Sequence, residues 1–200
     1  TVAMAGPWGY RYVDDIEARE DGGTPAFLQT IRAALCMKLK DAMGTQNIKE
    51  RDNELMDILL GEMRTIPGMN ILADNIAGRL GIASFYHDTV HYNLLVKLLN
   101  DRFGIQARGG SSCADTYAYY LLHMNPDEGE PTEKPGWIRL SVHPTMTVAE
   151  MHYIADALRN IIDNAGEWGK DYTYSYATNE FTHTRANGDM GTQVKTWFGM

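Results

Sequence analysis

Two hundred residues with 44% hydrophobic content can bury one proper core, so the chain is expected to be a single domain with a tail. A formal charge of −8 at neutral pH, with a pI near 5.2, argues against a surface that tracks phosphates, and nucleic acid is set aside as a partner. No basic segment followed by an apolar run opens the chain and no apolar stretch is long enough to cross a bilayer, so no membrane role is expected.

The cysteine count is two, Cys36 and Cys113, too few for a disulfide framework, and a reducing cytoplasm is expected. The first residue is Thr1 rather than a methionine, which suggests a processed chain or an excised piece of a longer protein.

Residues Thr1 to Thr24 read as loop, with a turn at Gly6-Pro7-Trp8-Gly9 and a strongly charged run from Asp14 to Asp21. Gly22-Gly23-Thr24-Pro25 then introduces an amphipathic helix over Ala26 to Met43, closed by Gly44. Pro25 suits the first helical position and Thr24 the N-cap. Such a helix start leaves N–H groups and a hydroxyl pointing outward, where an anion such as phosphate can be held, although it is also an ordinary cap. Cys36 falls in the apolar pattern of this helix and is expected in the core.

A second helix is expected from about Gln46 to Arg64, with Ile48, Leu55, Met56, Leu59 and Met63 inward and Pro67-Gly68 as its stop. Met69 to Leu72 and Leu80 to Tyr86 read as strands of an antiparallel hairpin with a long connection. His87 and His91 lie four apart but straddle a strand-to-helix junction with no third ligand evident, so no metal is expected. Val90 to Phe103 reads as a helix with Leu94, Leu95, Leu98 and Leu99 inward.

The stretch Phe103 to Asp115 organises the rest. It reads as a short strand delivered into a glycine-rich loop, Gly109-Gly110-Ser111-Ser112, that stops at Cys113, with a helix starting at Thr116. The glycines permit positive φ or close approach to a ligand. Arg108 and Cys113 are expected at opposite ends of this flexible loop. An arginine suits a carboxylate or phosphate, and a thiol near a cation and a helix start is favoured as thiolate, the nucleophilic form, although cysteine is also among the most buried residue types and a Gly-Gly before a helix is often only a turn.

Asn125 to Gly136, with three prolines and four acids, reads as a surface excursion. Trp137 to Val142 is a strand with Ile138, Leu140 and Val142 on one face and Trp137, Arg139 and Ser141 on the other. By itself Arg139 reads as a surface arginine. Thr147 and Glu150 form a capping box for a helix to about Asn164. From Gly166 onward a period-two run of Tyr172, Tyr174 and Tyr176, then Phe181 and His183, precedes a turn at Gly188. This tail reads as an extended appendage docked on the domain. The pattern as a whole gives an α+β fold, a small, mostly antiparallel sheet with helices packed on one face.

Four stretches in register, Arg19-Glu20-Asp21-Gly22-Gly23-Thr24-Pro25, Leu80 to Phe85, Gly104 to Ala114 and Ile138-Arg139-Leu140-Ser141, resemble the class V aminotransferases, which include cysteine desulfurases and selenocysteine lyases. The resemblance implies the C-terminal small domain of a fold-type I pyridoxal-phosphate enzyme: residues 1–25 as connection, 26–165 as the domain and 166–200 as tail.

It further implies pyridoxal 5'-phosphate as cofactor, an amino acid as substrate and a homodimer as the working unit. In the family the threonine matching Thr24, with Gly23 beside it, contacts the cofactor phosphate across the dimer interface. The arginine matching Arg139 clamps the substrate α-carboxylate, Arg108 helps position substrate, and the cysteine matching Cys113 takes sulfur from substrate as a persulfide.

One departure stands out. Pyridoxal chemistry needs a lysine that bonds the cofactor, and the family places it after a histidine in a large domain. None of Lys38, Lys40, Lys49, Lys97, Lys134, Lys170 and Lys195 follows a histidine. The large domain is therefore expected to be missing from this sequence and the fragment to be inactive alone. Ser111 and Asp115 also depart from the family's loop. Transamination of another amino acid, or a non-catalytic interaction module of the same fold, remain the alternatives.

Overall fold

The computed structural model describes residues 1–124, 134–185, 190–197 and 199. Most of the excursion expected over Asn125 to Gly136, and the turn at Gly188, lie outside the described residues. The chain divides into two compact units, Thr1–Asn47 and Ile48–Met200.

In the first unit the segment expected as loop carries regular structure. Strands β1 (Val2–Gly6) and β2 (Gly9–Tyr12) form an antiparallel hairpin whose turn is the one expected at Pro7-Trp8, with Gly9 at φ +119°. Helix α1 (Ile16–Glu20) is capped by Asp15, whose carboxylate accepts from the Ala18 N–H at 2.8 Å.

Helix α2 (Phe27–Met43) starts later than its sequence suggests. The Phe27 N–H bonds to the Pro25 carbonyl at 2.8 Å, so Pro25 closes a turn instead of opening the helix. Ala26 is therefore the N-cap, in place of Thr24, and no side chain caps α2. None of its residues is buried. Cys36, expected in the core, is exposed. An apolar helical face reports that a partner exists but not on which segment it lies. On α2 the stripe Leu28, Ile31, Leu35 and Leu39 is 54–67% exposed.

Helix α3 (Thr45–Met63) runs into the second unit and buries Leu55, Met56, Leu59, Leu60 and Met63. The central sheet has the order β3-β4-β6-β5 and every neighbouring pair is antiparallel. Its strands are β3 (Met69–Ile71), β4 (Ile82–His87), β5 (Arg108–Gly110) and β6 (Trp137–Ser141). Alternation turns Ala83, Phe85, Ile138 and Leu140 to one face. There they join Leu95, Leu98 and Leu99 of α4 (Tyr92–Phe103) and Met151, Leu158 and Ile161 of α6 (Val148–Trp168) in one core with α3. The short α5 (Asp115–Leu121) follows β5. This is the α+β architecture that the sequence pattern called for, with the helices of the core on one face of a small antiparallel sheet.

Local signals set the helix ends. The expected Thr147–Glu150 capping box opens α6, which continues past Asn164 to Trp168. The His91 side chain accepts from the Asn93 N–H at 3.0 Å to cap α4, and Gly104 closes that helix in the left-handed region.

The tail is not simply extended. After a 3₁₀ turn at Gly169–Asp171, β7 (Tyr172–Ser175) and β8 (Glu180–His183) form a hairpin, and α7 (Met190–Trp197) follows. Tyr172 is buried in the core and donates to Asp101 at 2.8 Å; burial first, and then this bond, push its phenol up. Among the described residues no helix is long and apolar enough to cross a membrane.

Candidate functional site

The glycines expected in a flexible loop are themselves a strand. In β5, Arg108 stands opposite Arg139, Gly109 opposite Ile138 and Gly110 opposite Trp137. A Cβ on Gly109 would lie 2.3 Å from Asn93 Oδ1 and 3.0 Å from the Tyr92 ring, so the start of α4 presses directly on the backbone of this edge strand. Arg108 is therefore on a paired strand rather than at the end of a loop.

Residues opposite one another across antiparallel strands share a face. Ser84 pairs with Arg139, and Arg139 with Arg108, so the three form a row on the face away from the core. Arg139 Nε is buried and donates to no acceptor among the described residues. Neither arginine has a carboxylate partner there. Two like charges side by side, one with a desolvated donor unused, are an arrangement chemically suited to a planar anion.

Beyond β5 the chain makes a tight turn. The Ala114 N–H donates to the Ser111 carbonyl at 3.0 Å, with Ser112 at φ +56° and Cys113 at φ +64°. Two central residues at positive φ are the mark of a type I′ turn, which ordinarily favours Asn-Gly. Cys113 is exposed at its tip. The conformation costs these two L-residues roughly 1–2 kcal/mol each.

A cleft of about 400 Å³ lies over the same face of the sheet. Ser84 and Trp137 form its floor, Tyr117 and Leu121 of α5 cover it, and Leu72 and Ile76 are among its walls. Sequence reasoning did not assign Ser84, Tyr117 or Trp137 to a site. The signal available was the alternation in β6, which already put Trp137 on the face of Arg139.

Gly23 and Thr24 belong to the first unit, exposed ahead of α2, whose first amides no side chain caps. Such amides suit an anion. His87 accepts at Nδ1 from the Thr89 and Val90 N–H groups and meets the Pro67 carbonyl at Nε2, a loop-fixing role.

Residues 7–154 match the family described as Aminotransferase class-V. The chain belongs to this family. A cysteine desulfurase from Cronobacter sakazakii is 30% identical over 114 residues, which are 57% of this chain and 25% of that protein. An apo cysteine desulfurase from Thermococcus onnurineus matches with a TM-score of 0.63 at 19% identity, over 82% of this chain and 38% of that one. A NifS-like protein from Rickettsia africae gives 0.58 at 21%, over 82% and 40%. The cystine C–S lyase C-DES, solved with its product cysteine persulfide, gives 0.54 at 17%, over 80% and 36%. These structures share the fold of this class V chain, which spans 36–40% of their length and a quarter of the Cronobacter sakazakii relative.

Proposed function

We propose that this chain is the C-terminal part of a pyridoxal-phosphate-dependent enzyme that removes sulfur from cysteine, with Cys113 as the acceptor. The observation that carries the reading is the pair Arg108–Arg139, side by side on one sheet face with the buried Nε of Arg139 unpartnered among the described residues. The α-carboxylate of an amino acid is the planar anion such a pair suits.

The residues present also fit the cofactor: exposed Gly23 and Thr24 ahead of an uncapped helix start offer N–H groups and a hydroxyl to a phosphate. When bound, pyridoxal phosphate withdraws electrons from the amino acid and makes the Cβ–S bond cleavable. Arg139 fixes the carboxylate and Arg108 positions the substrate beside it. The Cys113 thiolate attacks the substrate sulfur: the Cβ–S bond breaks, a Cys113 Sγ–S bond forms, and protons complete alanine and the persulfide.

The seven lysines of the sequence offer no residue matching the family's His-Lys pair. In this reading a large domain supplies that lysine, a homodimer completes the phosphate site, and the chain alone is inactive. The exposed apolar stripe of α2 supports such partners. A reducing cytoplasm remains the compartment suggested by two free cysteines.

The test is the full-length protein with cysteine and pyridoxal phosphate. With a thiol reductant added to reduce the persulfide, alanine and sulfide released in equal amounts, only with cofactor, support the reading; no alanine and no sulfide from cysteine overturns it. The apolar cleft floored by Trp137 is more than a thiomethyl side chain needs and favours a second reading, transamination of a bulkier amino acid. Ketoacid formation from such a substrate distinguishes it, and a protein inert toward every amino acid would be the non-catalytic module.

A further inference from the structure

The arginine pair sits on weak supports. β5 is a three-residue edge strand, two of its residues glycine, and its one charged side chain faces a like charge across the ladder. Something outside the ladder must hold it. A single residue of the tail, beyond the stretch that matches the family, is bonded to the surroundings of both arginine-bearing strands.

Asn179 stands at φ +56° immediately before β8. Its backbone carbonyl accepts from Asn93 Nδ2 at 2.5 Å, its Nδ2 donates to the Tyr92 hydroxyl at 2.6 Å, and its Oδ1 accepts from the Tyr174 hydroxyl at 2.9 Å. Two short paths lead from it. Through both Asn93 and Tyr92 it reaches Gly109, the neighbour of Arg108, where a Cβ would lie 2.3 Å from Asn93 Oδ1 and 3.0 Å from the Tyr92 ring. Through Tyr92, which donates to the Lys134 carbonyl at 3.0 Å, it reaches the segment entering β6; a Cβ on Gly136 would lie 2.5 Å from Tyr92 Cζ. The His91 ring, stacked on Tyr92 at 4.5 Å and tilted against Tyr174 and Phe181 at 5.1 and 5.2 Å, joins the hairpin to the same turn of α4.

We propose that Asn179 is a positioning residue: it fixes Tyr92 and Asn93, and through them sets the placement of Arg108 and Arg139 for the substrate carboxylate. This rests on the reading of the two arginines as the substrate anchor.

Two readouts on the full-length protein separate the proposal from that reading. Asn179→Gly keeps the positive φ and the backbone acceptor for Asn93 and removes the side-chain bonds to Tyr92 and Tyr174, so it tests the hold on Tyr92, whose ring also presses on Gly109; Asn179→Asp keeps the acceptor for Tyr174 and loses the donor to Tyr92. Amide hydrogen exchange is followed over Arg108–Gly110, with Ile82–His87 as internal reference. Asn179→Gly is expected to speed exchange in Arg108–Gly110 roughly tenfold, the effect of losing about one net hydrogen bond, with the reference unchanged. KM for cysteine is expected to rise by a similar factor with kcat within about twofold, Asn179→Asp falling between. Tyr92→Phe is expected to add little to β5 exchange on the Asn179→Gly background, because the hydroxyl bond it removes besides that to Asn179 runs to Lys134, ahead of β6, and not to β5.

Faster exchange confined to β7 and β8, or a loosened β5 with KM unchanged in both Asn179 variants, would overturn the positioning role. Wild-type protein that turns over no amino acid would overturn the functional reading, while the exchange result would still report whether Asn179 holds β5.

Discussion

Arg108 and Arg139 are register partners across β5 and β6, so both basic side chains rise from the same face of the sheet with no carboxylate between them among the described residues. Such an arrangement is unfavourable to the empty protein and favourable to an anion. The two consequences can be measured separately.

Arg139→Met removes a buried donor that has no partner among the described residues, and the repulsion across the ladder, while keeping most of the side-chain volume. Stability is expected to rise by about 1 kcal/mol, read as a higher urea midpoint with unchanged m-value. Amino acid turnover by the full-length protein is expected to collapse in the same variant. A gain in stability beside a loss of function is what a residue kept for its ligand gives.

Cys113→Ala separates the sulfur chemistry from the rest. In the full-length protein it is expected to abolish sulfide release from cysteine and to leave cofactor absorbance intact, while selenocysteine cleavage or transamination can persist. The check is sulfide assay and absorbance on the same sample.

The acid limb of stability is expected to involve Glu62, which bridges α3 to α6. Hydrogen bonds from Arg159 and then from His152 hold its carboxyl below the usual 4.5. A depressed folded value means that the contribution is complete above the unfolded value and fades as pH falls through the folded one. Thermal melts are therefore expected to drop more steeply as pH falls below 4.5 for the natural protein than for Glu62→Gln. Asp74, lowered by its hydrogen bonds from Arg64, adds to the same limb with the same sign.

On α2, Ile31→Glu together with Leu35→Glu places charge on an exposed stripe. The chain alone is expected to lose at most about 0.5 kcal/mol, since surface substitutions cost little. If the stripe serves the proposed homodimer, the full-length protein is expected to lose that dimer in sedimentation.

What was legible in the sequence was local. The Thr147–Glu150 box is four residues long, and the alternation through Ile138, Arg139 and Leu140 needs only the pleat of one strand. Arg108 and Arg139 were both marked as candidates, but their pairing follows from register, which no single stretch carries. Gly109 was read as flexible because a glycine pair usually is; here it is straight strand under the side chain of Asn93, a contact from sixteen residues earlier. Asn179 was missed for a similar reason, as its partners Tyr92 and Asn93 lie 87 and 86 residues away. The cap of α2 shifted from Thr24 to Ala26 because Pro25 closes a turn, a choice the residue types allow either way.

The central claim is that Arg139 binds the substrate carboxylate. Its most direct measurement is a cycle on the full-length enzyme: cysteine against cysteamine, which lacks the carboxylate, with natural protein and Arg139→Ala. The account predicts that the substitution lowers kcat/KM for cysteine by about 1.5–3 kcal/mol, roughly 10- to 150-fold, and leaves cysteamine turnover nearly unchanged. An equal loss on both compounds, or none on either, would contradict it.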